Sequence, residues 1–170
     1  MLPDPIEKIY ETQDLIPVIN ELKAKNQKIV FTNGCFDLIH TGHTRYLKAA
    51  RDAGDRLIVA VNSDESVKGL KGEKRPIVPL MERMEILASF YFVDFVTSFN
   101  EPDPYHIIKT LKPSILIKGG DWPIEKIIGR DIVERDGGYV ATIPVIPGRS
   151  TTSIIQQILK YATDEPLSNV

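Results

Sequence analysis

The chain has 170 residues, 42% of them hydrophobic, with 21 basic against 23 acidic side chains, which suits one domain with a sizeable core and excludes wholesale disorder. Near-neutral mixed charge argues against coating nucleic acid or a membrane surface, no apolar run approaches the ~20 residues of a membrane span, and the N-terminus carries no secretory pattern. A single cysteine, Cys35, excludes an internal disulfide framework, so the expectation is one soluble, cytoplasmic domain over 1–170.

In chain order, Asp14 reads as the N-cap of a first helix, with Leu15, Ile19 and Leu22 on one face until about Lys25. This helix belongs to an N-terminal extension over 1–27. Strand Lys28–Asn33 follows, then a loop to His43 and a helix striped by Leu47, Ala50 and Ala53 and closed by Gly54. Strand Arg56–Asn62 leads into a basic loop reaching Arg75, and Pro79 opens a helix carrying Met84, Leu87 and Ala88. Strand Asp94–Phe99, helix Pro104–Leu111, strand Ser114–Gly119, helix Pro123–Glu134, strand Tyr139–Val145 and helix Thr152–Tyr161 complete the alternation. The tail from Thr163 to Val170 reads as frayed. Most of these strands are continuous apolar runs, as expected where both faces are covered. The pattern predicts an α/β fold, a Rossmann-like doubly wound five-stranded parallel sheet flanked by helices. Ligands in such sheets bind beyond the carboxyl ends of the strands, which directs attention to four loops.

The first loop reads FTNGCFDLIHTGH, and two of the three histidines, His40 and His43, flank Gly42 there. At a helix start, free N–H groups and the helix dipole favour phosphate, and imidazoles can stabilise charge that builds up during transfer. Gly42 lets a ligand approach the main chain. Ordinary capping or packing by the histidines is the plainer alternative. A zinc site of Cys35, His40 and His43 lacks a fourth ligand at metal spacing, and a nucleophilic Cys35 has no histidine partner evident in the sequence.

The second loop gathers Lys68, Lys71, Lys74 and Arg75, a cationic segment able to close over a triphosphate or simply to face solvent. The third, IKGGDW, offers Lys118, Gly120 and Asp121, although GGD is also an ordinary turn sequence. The fourth, PGRSTTSII, carries Arg149 and consecutive hydroxyls at Ser150, Thr151, Thr152 and Ser153, either a helix cap or a phosphate receptor.

Together these loops resemble the His-x-Gly-His nucleotidyltransferase superfamily, which includes alcohol-phosphate cytidylyltransferases and several adenylyltransferases. The resemblance runs from about Lys28 to Leu159 with the motifs in order. NGCFD, VAVNSDESVKGLKG, RPIVP, IKGGDW and STTSII look most like its heptose 1-phosphate adenylyltransferase branch in stand-alone form. It implies transfer of AMP from ATP to D-glycero-β-D-manno-heptose 1-phosphate, with a cytidylyltransferase acting on glycerol 3-phosphate as the alternative. On this resemblance His40, His43 and Lys71 are catalytic, with Lys68 or Lys74 as substitutes for Lys71. Thr32, Asn33, Gly34, Cys35, Phe36, Gly42, Lys118, Gly120, Asp121, Ser150, Thr151 and Thr152 bind the nucleotide. Lys74, Arg75 and Arg149 meet substrate phosphate, Arg83 (in MERMEIL) is either structural or phosphate-binding, and Asp37 either places Mg2+ or orders its loop. Arg149 departs from the cytidylyltransferase pattern, where the arginine stands several residues earlier. The resemblance also implies a homodimer and a separate heptose-phosphate kinase in the same pathway, with neither nucleic acid nor membrane as partner.

Overall fold

The computed structural model describes residues 4–120, 122–144, 146 and 148–164. Five strands, β1 (Ile29–Gly34), β2 (Arg56–Asn62), β3 (Phe95–Phe99), β4 (Ile115–Gly119) and β5 (Tyr139–Ile143), form one parallel sheet in the order β3-β2-β1-β4-β5. Helices α1 (Thr12–Ala24), α2 (Thr41–Asp52), α3 (Asp64–Lys71), α4 (Leu80–Ala88), α5 (Tyr105–Leu111), α6 (Arg130–Arg135) and α7 (Thr151–Asp164) connect and flank the strands.

Alternation along the strands builds two cores from one sheet. Ile29, Phe31, Ile58, Ala60 and Leu116 face α1, α5 and α6, meeting Leu15, Ile19, Ile108 and Val133. Their chain neighbours Val30, Leu57, Val59, Ile115 and Ile117 face α2 and α4, meeting Leu47, Ala50, Leu87 and Ala88. With both faces buried, the strands need no polar positions, which is why they read as unbroken apolar runs.

Strand order reverses between β1 and β4. Pairing between them covers Val30 and Phe31, opposite Ile115 and Leu116, whereas β1 stays paired with β2 from Ile29 to Gly34. Beyond Leu116 the two central strands are therefore free to part, and a crevice opens at their carboxyl ends.

Four sequence expectations change. The first helix starts at Thr12 with Glu11 as its N-cap, and Asp14 lies in its first turn, where a carboxylate complements the dipole. The basic loop after β2 contains α3: the Ser63 hydroxyl accepts the Ser66 N–H at 3.1 Å, acidic residues open the helix and Lys68 and Lys71 close it. The expected helix over Pro123–Glu134 is divided into a 3-10 turn, Ile124–Lys126, and α6, because Gly129 takes φ +88°. The last helix continues to Asp164, beyond the expected start of the tail; 165–170 lie outside the described residues.

Arg83 on α4 is fully buried. Its Nε donates to the Val78 carbonyl at 2.9 Å, Nη1 to the Cys35 carbonyl, and Nη2 to the Asn62 carbonyl at 2.9 Å and Asp64 Oδ1 at 2.8 Å. Of the two roles open to Arg83 this is the structural one, and it corrects the phosphate-binding one: Arg83 ties together the loop after β1, the end of β2, the start of α3 and the approach to α4. Replacing Arg83 with Met leaves these acceptors unpaired, so urea unfolding of Arg83→Met should show a loss of about 3–5 kcal/mol.

Candidate active site

The crevice has two lobes that share Asn33, Gly34, Cys35, Lys71 and Lys118. One, about 440 Å³, is lined by His40, Gly42, His43, Arg75, Arg149 and the start of α7. The other, about 420 Å³, extends under the loops after β3 and β4 to Asp103, Trp122 and Lys126. The first is the histidine lobe and the second the tryptophan lobe.

α2 begins at Thr41 with His40 as its N-cap residue, whose carbonyl accepts the His43 N–H at 2.8 Å. The His40 and His43 rings stack with centroids 3.9 Å apart and planes 21° apart. Phe36 meets the far side of His43 edge-on at 5.3 Å. A side chain at Gly42 has no room: its Cβ would stand 2.8 Å from His40 Nδ1. Packing thus fixes both imidazoles, yet both Nδ1 atoms are buried without a hydrogen-bond partner. An orphaned buried polar atom is costly, and both residues line the histidine lobe. Stacked rings do not converge on one ion, and no group of three potential ligands gathers among the described residues, which removes the zinc alternative.

Burial, then the positive charge of Arg149, lowers the pKa of His40. Burial, then His40, pushes His43 down to about 4. Near neutral pH the unliganded pair is uncharged, and each ring presents one N–H donor.

Cations surround the pair. Arg75 Nε pairs with Asp37 Oδ2 at 2.5 Å, which holds the guanidinium on the wall of the histidine lobe. Asp37 is almost wholly buried and also accepts the N–H groups of Ile77 at 2.8 Å and Val78 at 2.9 Å. Burial alone would raise its pKa, but the Val78 and Ile77 amides and Arg75 outweigh burial and lower it. Both carboxylate oxygens are thus engaged in ordering the 75–78 loop, which selects the loop-ordering role left open for Asp37 and corrects the metal-placing one. This donor set does not fit a protein-held Mg2+.

Lys118, on β4 at the junction of the lobes, donates to Asn33 Oδ1 at 3.2 Å. Desolvation lowers its pKa, so it is a thinly hydrated cation facing the crevice. Lys71 reaches both lobes from the end of α3, whereas Lys68 pairs with Glu65 at 2.7 Å and Lys74 is exposed and lines neither lobe. Arg149 stands beside Gly42, so the departure in sequence position still brings an arginine to the histidine turn.

The hydroxyl run divides its tasks. Ser150 Oγ accepts the Ser153 N–H at 3.0 Å and Ser153 Oγ accepts the Ser150 N–H at 3.2 Å, a reciprocal cap. Thr151 Oγ1 donates to the Leu38 carbonyl at 3.1 Å, joining α7 to the histidine loop, and Thr152 is exposed on the lobe wall. What this start offers an anion is chiefly its first-turn N–H groups and dipole. Thr32 is fully buried with its hydroxyl 2.5 Å from Tyr46 Oη, so its side chain holds β1 to α2 rather than facing the crevice. Gly120 lines neither lobe but lies beneath Trp122, and Asp121 falls outside the described residues. Sequence reasoning gave no role to Asn62, Asp103 or Lys126, and included Trp122 only as the end of the IKGGDW loop; all four line the tryptophan lobe.

Comparison with known proteins agrees with this geometry. The cytidylyltransferase-like family profile matches residues 31–157. The chain belongs to the cytidylyltransferase-like family, and it is a nucleotidyltransferase. It is 48% identical over 162 residues to the bifunctional protein HldE of Geobacter metallireducens, covering 95% of this chain and 33% of that one. It is 46% identical over 158 residues to HldE of Geobacter sulfurreducens, covering 93% and 32%. The chain thus spans about a third of the length of these curated relatives. Among solved structures, a lipopolysaccharide core biosynthesis protein from Thermoplasma volcanium is 27% identical with a TM-score of 0.58, covering 71% of this chain and 97% of that one. A pantoate-beta-alanine ligase from Francisella tularensis is 18% identical, has a TM-score of 0.58 and covers 95% of this chain and 81% of its own; it shares the fold. Among the described residues no helix is long and apolar enough to cross a membrane.

Two outcomes follow from the histidine geometry. Because the folded pKa of His43 is depressed, its stabilising contribution is full above the ordinary histidine value near 6.5 and is lost as pH falls towards about 4. Melting temperature should decline across that window, and His43→Gln should flatten this part of the curve. Gly42→Ala should displace His40 and lower kcat by about tenfold or more while the melting temperature changes little, read by steady-state assay and thermal unfolding.

Proposed function

We propose that the chain transfers AMP from ATP to D-glycero-β-D-manno-heptose 1-phosphate, giving ADP-heptose and pyrophosphate. The observation that carries a phosphoryl-transfer reading is the fixed, stacked pair of His40 and His43 within a crevice lined by Arg75, Arg149, Lys71 and Lys118. Identity to HldE proteins over nearly the whole chain favours the heptose substrate over other alcohol phosphates.

In this reading ATP occupies the histidine lobe, with its phosphates over the Asn33–Phe36 turn and the start of α2. The acceptor enters from the tryptophan lobe, so that its phosphate reaches the junction beside Lys118. A phosphate oxygen of the acceptor attacks the α-phosphorus in line. The new P–O bond forms as the bond to the bridging oxygen breaks, and pyrophosphate departs with that electron pair. No proton has to move, which suits uncharged histidines that donate hydrogen bonds to the phosphorus-bound oxygens. Lys71 and Arg75 meet the charge on pyrophosphate. Mg2+ accompanies the ATP phosphates as part of that substrate. The same reading carries a homodimer, a cytoplasmic location and a separate kinase that makes the sugar phosphate.

Crossing ATP and CTP with heptose 1-phosphate and glycerol 3-phosphate, read by pyrophosphate release, tests the assignment. Turnover should be greatest with ATP and heptose 1-phosphate; greatest turnover with CTP and glycerol 3-phosphate replaces the reading with a cytidylyltransferase. His43→Ala should lower kcat by about 10²–10³ with the fold retained, as for other charge-stabilising donors.

A further inference from the structure

The tryptophan lobe contains a group unsuited to a phosphate. Asp103, in the loop after β3, is half-buried on the wall of a crevice otherwise supplied with Lys71, Lys118 and Lys126. Its Oδ1 accepts the Tyr105 N–H at 2.9 Å, which fixes the carboxylate at the start of α5. No lysine or arginine pairs with Asp103 among the described residues, although three lysines line the same lobe. A fixed, unpaired carboxylate repels phosphate and accepts hydrogen bonds from hydroxyl groups.

Trp122, the only tryptophan of the chain, lies on the same lobe and is 54% exposed. It folds back over Gly120, which takes φ +106°, and a Cβ at that position would stand 3.3 Å from the indole Cδ1. The main chain thus makes room for an indole that lies on the lobe wall rather than in the core. Ile127 and Ile128 extend the apolar wall. An exposed aromatic face beside a fixed carboxylate suits a pyranose ring: the face takes the C–H side and the carboxylate takes hydroxyls.

We propose that Asp103 and Trp122 form the sugar-reading end of the crevice, selecting acceptors whose phosphate is attached to a hydroxylated ring. This rests on the sugar-phosphate reading above and adds the residues that separate a sugar phosphate from a short alcohol phosphate. The ring lies against Trp122 with its hydroxyls on Asp103, and its phosphate points to Lys118 at the junction. Asp103 and Trp122 stand away from the histidine lobe, so they act on acceptor binding and leave ATP binding alone.

The test measures KM for heptose 1-phosphate and for ATP, with kcat, in the wild type, Asp103→Asn and Trp122→Ala. Asp103→Asn keeps the Oδ1 acceptor for Tyr105 and removes the charge, so the turn is retained. Each variant should raise KM for heptose 1-phosphate by about tenfold or more, Asp103→Asn through weakened substrate-hydroxyl contacts and Trp122→Ala through the lost ring face, while KM for ATP stays within about twofold. Wild-type activity on heptose 1-phosphate with an unchanged acceptor KM in both variants overturns the inference alone. An equal rise in both KM values also overturns it, because that shows a disturbed crevice rather than acceptor reading. Wild type that turns over glycerol 3-phosphate and not heptose 1-phosphate overturns the underlying reading together with this one.

Discussion

The site depends on one buried guanidinium. Arg83 has no contact with water, and its donors go to segments that are far apart in sequence: the Cys35 turn, the end of β2, the head of α3 and the Val78 loop. Placing a charge there is unfavourable unless each donor finds an acceptor, and these acceptors exist together only when the loops have assembled. Asp37 makes a second node of opposite sign against Arg75, Ile77 and Val78. Between them the two nodes set where α3 ends, and therefore where Lys71 enters the crevice. Arg83 and Asp37 thus build the frame that places the side chains lining the crevice.

Electrostatics within the crevice are divided in a consistent way. Fixed positive charge comes from arginines and lysines around the rim, while the two imidazoles stay neutral because they are buried against each other and beside Arg149. Charged histidines in contact would repel one another and compete with the surrounding cations. Neutral ones add directional donors at little electrostatic cost, and Phe36 and Gly42 hold their geometry. The crevice is thus preorganised for an anion whose charge changes little in total but shifts between oxygens.

Much of this was legible in the sequence. Unbroken apolar runs separated by amphipathic segments gave the sheet and its helices, and the histidine turn, Lys71 and Arg149 do meet at the crevice. The helix α3 was hidden because its lysines and glycines resemble a loop, although Ser63, Asp64 and Glu65 ahead of Lys68 and Lys71 carry the capping and dipole signals of a helix. The long helix expected after Pro123 failed at Gly129, a positive-φ position that helical periodicity alone does not reveal. Asp37, Thr32 and Arg83 show a deeper limit. A polar residue in a motif serves either a ligand or the fold, and only the location of its acceptors decides. Asp103 was missed, and Trp122 was left without a role in its loop, because their neighbours across the crevice come from other strands.

The reversal of strand order between β1 and β4 has a consequence for how such a molecule can diversify. Loops after β3 and β4 supply much of one lobe, while the turn after β1 and the start of α7 supply much of the other. The two share only a short seam at Asn33–Cys35, Lys71 and Lys118. On the proposed division of the lobes, insertions or exchanges in the first set alter the acceptor while the phosphate-handling set remains intact. A sheet of this topology thus separates inheritance of a reaction from inheritance of a substrate, and the two can drift at different rates.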